Sequence, residues 1–159
     1  PKTVRRQRQM CIRDSIFLNR YCKEFSFIHI LPFYPYSSDD GFAVVDYENV
    51  NQEHGNWEDF KKISSNYKVM SDLVINHCSS ENVLFKNFLN KTDPGSDYFI
   101  VSKKNFESFK KVIRPRSSKI SKKVKIKNKE YFVWCTFSHD QIDFDFKNPK
   151  VLMLSLIHI

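Results

Sequence analysis

The stretch from Phe25 to Ile75 constrains the fold most, because two apolar runs flank one capped amphipathic segment. Phe25 to Tyr34, FSFIHILPFY, is rich in β-branched and aromatic residues and meets Pro32 and Pro35, so it reads as a buried strand running into a loop. Asn56, with Asp59 three residues on and apolar Trp57, Phe60 and Ile63, predicts a helix of about ten residues closed by a reciprocal cap. Lys68 to Ile75, KVMSDLVI, reads as the second strand. A strand, helix and strand in that order predict a βαβ unit with parallel strands and a right-handed crossover. The fold class expected is therefore α/β.

Downstream, Glu81 to Leu89 carries apolar positions at Val83, Leu84, Phe85, Phe88 and Leu89, a helical face, and Glu130 to Phe137 returns to strand character. Between them, Lys103 to Lys129 holds twelve Lys or Arg against Glu107 alone. Such a stretch could bind nucleic acid, with Phe106 and Phe109 stacking on bases. No recognised nucleic-acid motif accompanies it, so the preferred reading is a solvated excursion from the main fold and no nucleic-acid partner.

The chain has 159 residues, 41% of them hydrophobic, enough for one core. No apolar run approaches the roughly twenty residues of a membrane span, and the first fifteen residues lack the apolar stretch of a secretory leader. No membrane partner and a cytoplasmic location are expected. Cys11, Cys22, Cys78 and Cys135 are scattered without a CxxC pair, which predicts free thiols rather than a disulfide framework or zinc site.

Both ends differ from the interior. MCIRDS at Met10 to Ser15 and LSLIHI at Leu154 to Ile159 can be encoded by reverse-complementary DNA, and that pair resembles the end of a sequencing-library transposon adapter. Residues 1–15 and 154–159 are accordingly expected to be foreign, with the first of them disordered. The N-terminal piece carries half of the formal net charge of +8. The natural segment expected between them, 16–153, is then part of a longer protein.

In parallel α/β folds ligands meet the loops at the carboxyl ends of the strands. Two polar clusters fall there: Ser37-Ser38-Asp39-Asp40-Gly41-Phe42 after the first strand and Asn76-His77-Cys78-Ser79-Ser80 after the second. Carboxylate, imidazole and aromatic ring together suit a sugar, whose hydroxyls exchange hydrogen bonds while its C–H face packs on a ring. Taken singly, Asp39-Asp40-Gly41 also suits a plain turn, and His77 a core histidine.

Together these residues carry a resemblance. Asp39-Asp40-Gly41-Phe42 followed by Asp46-Tyr47 resembles the D-x-G-[FY]…D-Y signature after the second barrel strand of the α-amylase superfamily. Asp72 to His77, DLVINH, is similar to its D-x-V-x-N-H region at the third strand, and Phe137 to Phe144, FSHDQIDF, to its Q-x-D region. LPFYPYSSDDGFAVVDY, PGSDYF and Arg114-Pro115-Arg116 look most like the sucrose phosphorylase branch, which includes glucosylglycerate phosphorylases.

The resemblance implies a partial (β/α)8 barrel, around strands two and three, over 16–101, with a small inserted domain B over 102–148 and the start of the return to the barrel over 149–153. Its partners would be an α-glucoside and inorganic phosphate, exchanged with retention through a nucleophile and an acid/base. Asp39 would hold glucose hydroxyls, Phe42 would pack near the sugar ring, and His77 would donate near the reacting carbon. Arg116 would meet phosphate or the acceptor sugar, a task suited to its guanidinium fork. Asn76 resembles a calcium ligand of amylases, but this branch is expected to use neither metal nor cofactor. Asp72 and Asp143 read as structural.

The family's nucleophile comes from an R-x-D motif after the fourth strand, its acid/base from the fifth and a stabilising H-D from the seventh. None of these occurs here, and His139-Asp140 lies in the inserted region, so no catalytic residue is assigned and the chain alone is expected to be inert. Since a barrel needs about 250 residues, strands two and three should lack neighbours and expose their edges. The alternatives are a hydrolytic α-glucosidase or amylase, a nucleic-acid-binding protein and a non-catalytic carbohydrate-binding remnant.

Overall fold

A computed structural model of the chain describes residues 10–105, 112–114 and 116–158. The basic stretch's Phe106, Glu107 and Phe109, and Pro115 of the Arg-Pro-Arg, lie outside the described residues.

The βαβ unit is present. Strand β1 (Phe27–Ile30) pairs in parallel with β2 (Lys68–Ser71), from Phe27 opposite Lys68 to Ile30 opposite Ser71, and helix α2 (Trp57–Ser64) lies between them in the chain. Helix α1 (Met10–Tyr21) precedes β1. The α2 cap is the expected reciprocal one: the Asn56 side chain accepts from the Glu58 and Asp59 amides at 2.8 and 3.2 Å, while Asp59 accepts from the Asn56 amide at 3.2 Å. Phe60 and Ile63 of α2 pack with Phe33, Val50 and Tyr67 in a small core that Leu18, Ile28, Ile30 and Val69 border.

Both strands are shorter and more open than the apolar runs suggest. Phe27 is 65% exposed and Met70 56% exposed. Among the described residues β1 and β2 pair only with each other. Apolar side chains that a closed barrel would cover thus face outward. The second apolar run also stops early, at Ser71, and resumes as the separate strand β3 (His77–Ser79).

β3 turns its partnership elsewhere. It pairs antiparallel with β7 (Gln141–Asp143), placing His77 opposite Asp143 and Ser79 opposite Gln141. Between them in sequence come α3 (Val83–Asn90), β4 (Val101–Ser102), β5 (Ser121–Ile126) and β6 (Lys129–Trp134). The last three form an antiparallel sheet in the order β4-β6-β5. The β5–β6 hairpin turns through Lys127 and Asn128, both at positive φ (48° and 61°), the geometry that matches strand twist in a two-residue loop. The basic stretch is read out by this alternation. Val124 and Ile126 point into the core while Lys123 and Lys125 face solvent, Lys123 pairing with Glu130 at 2.8 Å.

The larger core joins these pieces. Phe85 and Phe88 of α3 contact Phe99, Phe99 stacks on Phe144, and Val133, Ile142 and Val151 are nearly fully buried beside them. Val151 belongs to helix α4 (Pro149–His158), whose Asn148 side chain accepts from the Lys150 amide at 3.0 Å, with proline at the first helical position where no donor is needed. Cys22, Cys78 and Cys135 are free thiols, and burial pushes Cys135 up to about 12, leaving it an inert packing group.

Residues 10–15 are helical within α1 and 154–158 continue α4, with Ser155 buried and Leu154 packed against the larger core. In each case the helix begun by neighbouring residues propagates, because extending a helix costs far less than nucleating one. The α/β class stands. Two parallel strands of a barrel that does not close are joined to a small antiparallel sheet.

Candidate functional site

The loop after β1 is built to hold side chains at fixed angles. Asp39, Asp40 and Gly41 take positive φ in succession (56°, 50° and 107°), which aspartate tolerates and glycine accepts freely. Gly41 has a second reason to be glycine, since a Cβ there would stand 2.6 Å from the Pro32 carbonyl oxygen. The tight turn returns the chain so that Tyr36 bridges Val44, and the Ser79 amide of β3 then donates to the Val44 carbonyl at 2.8 Å. The two polar clusters, distant in sequence, thereby meet.

At their meeting point lies a ring of polar contacts. The Arg116 guanidinium reaches both Asp39 oxygens at 3.4 Å, and the Gln141 side-chain amide donates to Asp39 Oδ2 at 3.0 Å. Gln141 Nε2 also stands 3.3 Å from His77 Nε2, and that imidazole nitrogen lies 3.0 Å from the Phe42 carbonyl oxygen. A carbonyl can only accept, so His77 Nε2 carries the proton and donates to Phe42. Nδ1 then holds a lone pair. Gln141 orients the same way, because its amide nitrogen must face the Asp39 carboxylate.

The consequence is two buried acceptors without donors: His77 Nδ1 and Gln141 Oε1. Burial lowers the His77 pKa from its ordinary 6.5, against the Phe42 carbonyl and the Asp143 and Asp39 charges, so the ring is a neutral acceptor at neutral pH. Phe137 sets its ring 5.2 Å from the imidazole at 57°. The part-exposed Asp39 carboxylate and the exposed Arg116 guanidinium, with the Phe137 ring and the buried imidazole beside them, form a polar surface that can bind a polyhydroxylated ligand.

Residues 20–154 match the catalytic domain of the α-amylase family. The chain belongs to that family. It is 43% identical over 126 residues to the glucosylglycerate phosphorylase of Spirochaeta thermophila, an overlap covering 79% of this chain and 21% of that protein. With the glucosylglycerate phosphorylase of Escherichia coli it shares 38% identity over 130 residues, 81% of this chain and 23% of that one. Among solved structures, sucrose 6F-phosphate phosphorylase from Thermoanaerobacter thermosaccharolyticum superposes with a TM-score of 0.83 at 29% identity, over 94% of this chain and 34% of that chain. The chain thus spans about a fifth of the length of the curated relatives it matches.

Within this α-amylase family chain, three of the four residues singled out from sequence, Asp39, His77 and Arg116, converge through their side chains. The fourth, Phe42, meets His77 through its carbonyl oxygen. The other motif carboxylates lie to the side. Asp72 pairs with His29 at 3.0 Å on the open strand pair, and Asp143 is engaged by the Thr136 hydroxyl and amide, burial raising its pKa nonetheless. Gln141 and Phe137 were not singled out, although both stand in the FSHDQIDF motif. The place of Gln141 opposite Ser79 depends on the antiparallel register of β7 on β3, which sequence alone does not show. Among the described residues no cluster of three His, Cys, Asp or Glu side chains could hold a metal ion, and no helix is long and apolar enough to cross a membrane.

Proposed function

We propose that this chain carries the glucosyl-holding wall of a cytoplasmic α-glucoside phosphorylase of the glucosylglycerate or sucrose type. In that enzyme a retained glucosyl unit passes from the glucoside to inorganic phosphate. Residues 16–101 supply two barrel strands, 102–148 the inserted domain and 149–153 the return to the barrel. The groups that break the glycosidic bond belong to the remainder of the enzyme, and the 159-residue chain is inert alone.

The observation that carries this reading is the Asp39 carboxylate, 32% exposed and held by Arg116 and Gln141 beside the buried His77 ring. Sugar hydroxyls donate to its oxygens. The Asp39–Arg116 pair is long at 3.4 Å and its side chains are 32% and 45% exposed, so it is weakly held and readily exchanged. On binding, Asp39 turns its lone pairs to the sugar and Arg116 its fork to phosphate or the acceptor. Identities of 43% and 38% to two glucosylglycerate phosphorylases support this branch over the others.

The test is product analysis on the enzyme expressed from the longer reading frame that contains this chain. Incubated with glucosylglycerate and with sucrose, it should release glucose 1-phosphate only when phosphate is present. Equal release of free glucose with and without phosphate would make it a hydrolase instead.

A further inference from the structure

Asp140 stands next to Gln141 in sequence, and its carboxylate bonds the serines that precede Asp39 and follow His77. Its carboxylate receives the hydroxyls of Ser37 and Ser38, each at 2.5 Å to Oδ2, and of Ser80 at 2.6 Å to Oδ1, with the Ser80 amide at 3.3 Å. The Ser80 amide also donates to the Asp140 carbonyl at 2.9 Å. Three separated segments are fastened at one carboxylate.

The proton directions are determined. Ser37 has one hydroxyl proton, committed to Asp140, so Ser79, 2.6 Å away, donates to Ser37. The Glu81 amide in turn donates to the Ser79 hydroxyl at 2.9 Å. The chain of donors runs from Glu81, ahead of α3, through Ser79 of β3 to the β1 loop and ends on Asp140, whose carboxylate is ionised to receive it. Burial alone would raise its pKa, but the Ser37, Ser38 and Ser80 donors outweigh burial and hold it below the ordinary carboxylate range.

We propose that Asp140 is a positioning residue that sets Asp39 and Gln141 in the geometry that grips the glucosyl unit, an inference that rests on the functional reading above. Ser38 immediately precedes Asp39, and Asp140 immediately precedes Gln141. The clasp therefore fixes both backbones one residue from the 3.0 Å Gln141–Asp39 bond, and through Ser79 and Ser80 it also holds the strand that carries His77. A neutral amide at position 140 removes the charge toward which the serine protons are aimed. The serines re-pair, and the two loops lose their common anchor.

The experiment compares the longer enzyme with its Asp140→Asn, Gln141→Ala and doubly substituted forms, and with Ser37→Ala/Ser38→Ala, which removes the β1-loop donors without touching position 140. Asp140→Asn should lower kcat/KM for the glucoside by about ten- to a hundredfold, chiefly through KM. Adding it to Gln141→Ala should cost little more than Gln141→Ala alone, because both act on one contact. The serine double variant should mimic Asp140→Asn. Full additivity with Gln141→Ala, or unchanged kinetics, overturns the inference. Should the wild-type enzyme turn over no α-glucoside, the functional reading fails. The Gln141 Nε2 to Asp39 Oδ2 distance in a crystal structure of Asp140→Asn then decides this one: beyond bonding range supports the clasp, and an unchanged 3.0 Å refutes it.

Discussion

Gln141 donates to Asp39 across 102 residues of sequence, at 3.0 Å, and that single bond couples the loop after β1 to the strand that closes on β3. The coupling depends on the backbone of a three-residue turn. Gly41 sits at φ +107°, with the Pro32 carbonyl oxygen where a side chain would begin. Gly41→Ala should destabilise the fold by more than about 1 kcal/mol, since strain and overlap add. Urea denaturation of the purified protein measures it, and a midpoint equal to wild type would contradict the account of the turn.

The α2 cap is a local device and should respond locally. Asn56→Ala leaves the Glu58 and Asp59 amides without their acceptor and should cost about 1 kcal/mol. Asn56→Asp should retain most of the stability, because its carboxylate accepts equally and suits the helix N-terminus. Thermal melts of the two variants distinguish loss of the cap from loss of packing.

His77 makes stability depend on pH. Its folded-state pKa lies below the ordinary 6.5, so the unfolded chain binds more protons between the two values. The contribution of the neutral buried ring is fully present above about 6.5 and is lost as pH falls through the lower folded value. His77→Asn should flatten that part of the curve. Urea midpoints from neutral to mildly acidic pH give the slope, and an identical slope in both proteins would show that other groups set it.

The open strand pair predicts behaviour of the 159-residue chain itself. β1 and β2 present Phe27 and Met70, 65% and 56% exposed, on a sheet that among the described residues has two strands. Such an edge recruits other chains. Light scattering should rise with protein concentration, and Phe27→Lys should suppress the rise. Scattering unaffected by this substitution would move the sticky surface elsewhere.

What could be read from sequence was what is local. Asn56, Asp59 and the apolar positions of α2 lie within one helical turn of each other, and the cap formed as the spacing implied. Parallel pairing of β1 and β2 followed from the helix between them. The extent of the strands did not, because an apolar run records what a side chain prefers and not whether a neighbour is there to bury it. Phe27 shows the difference. In the site, Asp39, His77 and Arg116 announced themselves as charged or titratable groups in motifs, whereas Gln141 is neutral and acquires meaning only through the antiparallel register of β7 on β3. Asp140 was set aside as part of the inserted region for the same reason, since its serine partners come from segments 60 and about 100 residues away.

We propose that Asp39 grips the glucosyl unit while Arg116 serves phosphate or the acceptor. Steady-state kinetics of phosphorolysis by the longer enzyme, with glucoside and phosphate varied independently, tests it most directly in the Asp39→Asn and Arg116→Ala variants. Asp39→Asn should lose about a hundredfold or more in kcat/KM for the glucoside, while Arg116→Ala should chiefly raise KM for phosphate or weaken the reverse reaction with the acceptor. An Asp39→Asn enzyme that turns over its glucoside like wild type would contradict it.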